Sequence, residues 1–384
     1  MSQNKDLMLM KRGIFTGKII IGKKKIPITL TVSAGQSGKL ELEVDPMHSI
    51  EDYCEVVRTA GKIGETFNYF KLECEGENEQ HLKSDAAYLT AHNLPQKAGE
   101  APVGHIKIDT SKTSITMNLS EQCEGTQLGF RLLNFNCCPG GMSSKTDLGK
   151  IFVSPNVRKL KGNEVTGYIC IESTKVSGNI DWKMEARELL QRLRTLLAFV
   201  RGMPLYVPIE EFYQGNHCEA TFHSVNYGNQ QSLLLPCIRY LSLNSFFEKA
   251  APAAREIDAH NWNILGIMIN LSLVPTTYRE VCFLTQMIAI ESFAIGYFQW
   301  SKPEKIPLED KIKSLLKALN IKQEQLNIKY LTEIRNQIAH QGIAKKRECL
   351  GSSIIMAREV LVRIVFAMIK FEGDYDCYIG KHQC

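Results

Sequence analysis

Arg335 and His340, five residues apart in Arg335-Asn336-Gln337-Ile338-Ala339-His340, are the residues of this chain best suited to chemistry. A guanidinium presents a planar fork of donors that matches a phosphate, and an imidazole moves protons near neutral pH. Together they suit a reaction in which charge builds on a phosphate while a proton changes hands. Asn336 adds an amide able to orient a phosphate oxygen or the histidine. Gln341-Gly342 follows at once, and a glycine just past a helix commonly takes the left-handed cap position.

Helix geometry constrains how the two groups meet. At about 100° per residue, Arg335 and His340 lie about 140° apart, whereas Asn336 and His340 nearly stack. Arg335 and His340 therefore converge only if the helix ends or distorts near His340, or if two copies of the helix meet across a dimer. A histidine at a helix C-terminus is favoured in its protonated form by the macrodipole, which suits a general acid. The structural alternative pairs Arg335 with Glu333 or Glu324 and leaves His340 to close the helix. Glu291, in Ile288-Ala289-Ile290-Glu291-Ser292, is an acid in an otherwise apolar stretch and needs a partner, for which Arg335 is attractive. That pair either ties two helices together or orients the arginine. Lys345-Lys346-Arg347 comes directly after the motif and reads equally as a grip on a phosphate backbone or as solvated loop charge.

Two kinds of element must position these residues. In the first half, β-branched and alternating runs at 14–21, 26–32, 40–44, 67–74, 105–109, 114–119 and 165–171 predict short strands of an antiparallel, sandwich- or barrel-like sheet. Gly, Pro, Asn and Ser mark 76–104 and 139–147 as loops. Gly35-Gln36-Ser37-Gly38-Lys39 imitates part of a phosphate-binding loop, but it joins two strands and reads as a hairpin turn. Over 181–202 the period changes: Trp182, Ala186, Leu189, Leu190, Leu193, Leu196 and Leu197 recur at three and four, until Gly202 and Pro204 stop the helix. Its Arg187, Arg192 and Arg194 read as a solvated face. A strand-like piece near 219–225 places this helix with the β-rich part. From about Ala254 only helices are expected, over 257–273, 277–300, 308–319, 324–341 and 353–371, a bundle of single-domain size. The organisation is α+β: a β-rich domain over 1–250 and a helical domain over 254–384.

Bulk properties exclude little. The 384 residues carry a net charge of +5, which tolerates a polyanion without demanding one. Twelve cysteines occur without any C-x-x-C, as reduced thiols rather than a disulfide framework. Cys377, His382 and Cys384 offer three ligands at unusual spacing near a terminus, which makes no metal site. The longest apolar runs, 264–274 and 361–369, fall short of the roughly 18 residues of a spanning helix and read as core helices. No stretch resembles a signal peptide, so a cytoplasmic protein is expected.

The arginine, the polar residue after it and His340, in the penultimate helix of a helical C-terminal part, resemble the R-x4-6-H signature of the HEPN superfamily. The whole layout, a β-rich region, a linking helix and this bundle, is similar to that of the ApeA-like anti-phage HEPN proteins. The resemblance implies a metal-independent endoribonuclease that uses the RNA's own 2′-hydroxyl and leaves a 2′,3′-cyclic phosphate and a 5′-hydroxyl. His340 would transfer protons, Arg335 would stabilise charge at phosphorus, Asn336 would orient, and Glu291 would steady Arg335. It also implies a composite site built by two subunits, which answers the angular problem. The expected partners are RNA (tRNA among the classes), a second copy in a homodimer or dimer-based oligomer, and a phage-derived trigger; no cofactor, metal or membrane is expected. Two other classes share the pattern: a catalytically silent HEPN module that binds RNA or nucleotide or dimerises, and the toxin of a toxin–antitoxin pair.

Overall fold

The computed structural model describes residues 13–35, 37–60, 69–77, 79–95, 101–119, 125–135, 140–155, 164–173, 180–225, 234, 236–239, 242–344, 350–377 and 379. The chain divides into two compact units. One comprises Met1–Phe135, Asn156–Lys183 and Tyr206–Asn226, and the other Asn136–Pro155, Met184–Leu205 and Tyr227–Cys384.

The first unit is antiparallel β. Its strands are β1 (Gly13–Ile21), β2 (Lys24–Ala34), β3 (Leu40–Val44), β4 (Phe70–Gly76), β5 (His81–Asn93), β6 (His105–Thr110), β7 (Lys112–Asn118), β8 (Thr126–Leu133), β11 (Val165–Ser173), β12 (Tyr206–Gln214) and β13 (His217–His223), with the helix α1 (Ile50–Ala60) after β3. Alternation sets the faces: in β3, Leu40, Leu42 and Val44 are buried while Glu41 and Glu43 are exposed. Pairings β1–β2, β2–β3, β3–β6, β6–β5, β5–β4 and β4–β1 close into a ring, so these six strands form a small barrel. Phe15, Ile19, Ile26, Leu30, Leu72 and Leu82 belong to its core. The start of β5 also pairs with β7, which leads through β13, β12 and β8 to β11. On the β8–β12 face, Arg131 Nε meets the wholly buried Glu211 at 3.2 Å. Burial pushes the Glu211 carboxyl up, and Arg131 opposes that shift.

β2 and β3 pair across the expected hairpin, with Gly35 N–H bonded to Lys39 O at 3.0 Å. The loop expected over 76–104 is a correction: it holds β5, at 13 residues the longest of these strands. Its inward positions Leu82, Ser84, Ala87 and Leu89 are buried, but Ser84 and Ala87 are small, so the alternation is faint in composition. The loop expected over 139–147 is likewise partly strand, β9 (Met142–Thr146), in a hairpin with β10 (Gly149–Pro155).

The second unit holds that hairpin and the helices after α1. α2 (Ile180–Arg201) starts in the first unit and belongs to the second from Met184 onward. Then come α3 (Leu243–Glu256), α4 (Ala259–Ser272), α5 (Arg279–Phe298), α6 (Leu308–Ala318), α7 (Ile328–Gln341) and α8 (Leu350–Met368). α3 was not expected; it runs through Pro252, a residue that ordinarily interrupts a helix. Arg192 and Arg194 of α2, expected on a solvated face, are a further correction. Arg192 is buried and donates to the backbone oxygens of Ala254 and Ile257 at 2.8 and 2.7 Å, and Arg194 donates to Leu205 O at 3.0 Å. These guanidiniums terminate backbone carbonyls inside the unit, a use of charge that i, i+3 spacing alone does not reveal.

α5 is the hub, packing against α4, α6, α7 and α8. Its Cys282, Phe283, Met287, Ile290, Phe293 and Ala294 are buried, the apolar side that periodicity indicates. Among the described residues it is the one helix long and apolar enough to cross a membrane. Its contacts here are those of a core helix. Cys74, Cys170, Cys218, Cys237 and Cys282 are buried, and burial pushes the Cys237 thiol up to about 11.

Candidate active site around Arg335

α7 is fixed at both ends by its own sequence. Asn327 caps the start, its side chain accepting from the Tyr330 N–H at 3.0 Å, so the helix begins at Ile328 rather than at 324. Leu331, Thr332, Ile334 and Ile338 are buried and hold it against α5, α6 and α8. At the other end Gly342 has φ 75°, and its N–H bonds to Ile338 O at 2.8 Å, the left-handed cap that its type indicates.

The helix is continuous through Gln341, past His340. Convergence of Arg335 and His340 by an early helix end is therefore corrected: on one copy they remain about 140° apart. Arg335 is half-buried on the side that meets α5, whereas Asn336 and His340 are exposed.

Three helices meet at one carboxylate. Arg335 Nη2 lies 3.5 Å from Glu291 Oε2, so α7 is paired with α5 as the apolar setting of Glu291 indicates. Neither Glu333 nor Glu324 takes that place. The second oxygen, Glu291 Oε1, accepts from Lys311 Nζ of α6 at 2.6 Å. The side chains of Lys311, Glu291 and Arg335 are 5%, 21% and 31% exposed, a gradient from core to surface along the chain of charges. Arg335 Nη1 also donates to Asn336 Oδ1 at 3.2 Å, which turns the amide toward the guanidinium rather than the histidine.

Lys311 escapes sequence reading for a definite reason. In Leu308-Glu309-Asp310-Lys311-Ile312-Lys313 it stands among surface-type charges, and Lys313 does pair with Glu309 in the ordinary i, i+4 way. Only the packing of α6 on α5 turns Lys311 inward. Its position one residue before the buried Ile312 is the faint signal available.

The helices that carry the site also bear exposed apolar side chains. Ile288, one turn before Glu291 on α5, is 45% exposed, and Val281 two turns earlier, with Tyr278 just before the helix, is exposed too. Ile343, directly after the cap, is another exposed aliphatic side chain. Lys345, Lys346 and Arg347 lie outside the described residues. A cavity of about 380 Å³ elsewhere in this unit, lined by Lys322, Glu324, Arg363, Phe366, Phe371 and Tyr375 among others, shares no residue with the Arg335 constellation.

A guanidinium held at the surface by a half-buried acid, beside an amide, offers fixed donors to an anion. An exposed imidazole at a capped helix end offers proton transfer. One copy supplies both but does not bring them together. Compared with models of known protein families and with curated proteins, the chain matches none.

Proposed function

We propose that this protein is a HEPN-type, metal-independent endoribonuclease whose site is completed by a second copy of the chain. The observation that carries the reading is the placing of Arg335 and His340 on one regular, capped helix: Arg335 is held from behind by Glu291, and His340 is exposed on another face. A pair meant only to stabilise the bundle has no use for an exposed histidine.

In the reaction, the 2′-hydroxyl of RNA gives up its proton and attacks the adjacent phosphorus. The new 2′-O–P bond forms as the P–O5′ bond breaks, and the leaving 5′-oxygen takes a proton. The products are a 2′,3′-cyclic phosphate and a 5′-hydroxyl. His340 carries proton transfer, Arg335 stabilises the charge that grows on the phosphate oxygens, and Asn336 keeps the guanidinium oriented. The exposed aliphatic residues Val281 and Ile288 of α5, the helix that carries Glu291, support apposition of two copies, since such side chains gain from being covered. A role in defence against phage, with the β-rich unit as sensor or regulator, rests on the resemblance of the two-part layout to ApeA-like proteins.

Incubation of purified protein with total RNA in EDTA, followed by end-group analysis, tests this reading. Cyclic phosphate ends are expected. RNA that is bound but intact favours the silent binding module instead.

A further inference from the structure

We propose that Lys311 is a positioning residue of this site, keeping the positive charge of Arg335 available to a phosphate by occupying half of Glu291. The inference rests on the nuclease reading above.

Lysine is almost never fully buried unless paired, because taking an ammonium out of water is expensive. Lys311 is nonetheless 5% exposed, with Glu291 Oε1 2.6 Å from its Nζ. A bundle built only for stability is served as well by an apolar residue at such a position. What the lysine changes is the charge seen by Arg335. A carboxylate alone with a guanidinium tends to a bidentate pair that uses two N–H groups and cancels the charge. Here Glu291 is shared by two cations, so the cluster of Lys311, Glu291 and Arg335 keeps a net positive charge. Its exposed end is the guanidinium. Arg335 approaches Glu291 through Nη2 at 3.5 Å, and each terminal nitrogen carries two N–H groups. A phosphate arriving at Arg335 thus meets an uncancelled cation already fixed in orientation.

The full-length protein tests this through Lys311→Met, Glu291→Gln and the double variant. Single-turnover cleavage, binding of an oligonucleotide with a 2′-deoxy position at the scissile site, and thermal midpoint are read for each. With Lys311→Met, Glu291 closes on Arg335; cleavage slows by about tenfold to a hundredfold and binding weakens. Adding Glu291→Gln removes the competing carboxylate, and the double variant recovers part of that loss. A structural ion pair predicts no such recovery. Wild-type rates in Lys311→Met, or a loss that tracks the thermal midpoint without recovery in the double variant, overturn the inference while leaving the nuclease standing. Wild-type protein that leaves RNA intact removes the nuclease reading and this inference with it.

Discussion

Glu291 Oε2 on α5 and Arg335 Nη2 on α7 stand 3.5 Å apart, and the other oxygen of the same carboxylate holds Lys311 of α6. One acid therefore sets the relation of three helices and the aim of the arginine at once.

Removing its charge is expected to affect stability and activity together. Glu291→Gln leaves the buried Lys311 without a counter-ion, and breaking such a pair costs roughly 3 kcal/mol. Urea denaturation is expected to show a lower midpoint with an unchanged slope. Glu291→Asp, which keeps the charge on a shorter stem, is expected to fall between the two.

Arg335→Lys separates charge from shape. The ammonium still pairs with Glu291, so the thermal midpoint is expected to hold within a few degrees. A lysine lacks the planar fork, and cleavage is expected to fall about a hundredfold. A variant as active as the wild type argues that Arg335 supplies only charge.

Gly342 tests whether the end of α7 positions His340. A Cβ there meets nothing within 4 Å, so the cost of Gly342→Ala is that of its φ of 75° alone, about 1–2 kcal/mol. Gly342→Asn, which tolerates the left-handed region, is expected to cost less. Hydrogen exchange is expected to show faster opening of the last turn of α7 in the alanine variant.

A pH effect is expected at another ion pair of the same unit. Asp147, in the β9–β10 turn, accepts from Arg255 of α3 at 3.2 Å. That hydrogen bond is the largest cause holding the Asp147 carboxyl below its ordinary value of 3.8. The folded value is depressed, so the contribution is full above 3.8 and is lost as pH falls through the lower folded value. NMR titration is expected to return Asp147 toward its ordinary value in Arg255→Gln.

Much of this architecture is local enough to read from residue order. The alternation of Leu40 to Val44, the three-and-four spacing of α2 and α5, and the cap at Gly342 are each short-range patterns that the structure keeps. What escapes depends on contacts distant in sequence. β5 hides because Ser84 and Ala87 fill its inward positions, and the closure of β4 on β5 is a register that neither strand announces. Arg192 and Lys311 look like solvated helix charges until their neighbours are in place. At the candidate site, the Arg335–Glu291 pair is legible because an acid in an apolar helix demands a cation. The third member is not, because a lysine on an amphipathic helix makes no such demand.

The account turns on His340 as the proton-transfer group, and single-turnover cleavage of RNA in EDTA by wild-type and His340→Ala proteins tests it most directly. Wild-type protein is expected to yield 2′,3′-cyclic phosphate and 5′-hydroxyl ends, with His340→Ala folded, of unchanged oligomeric state and at least about a hundredfold slower. Cleavage by His340→Ala at the wild-type rate would contradict the account.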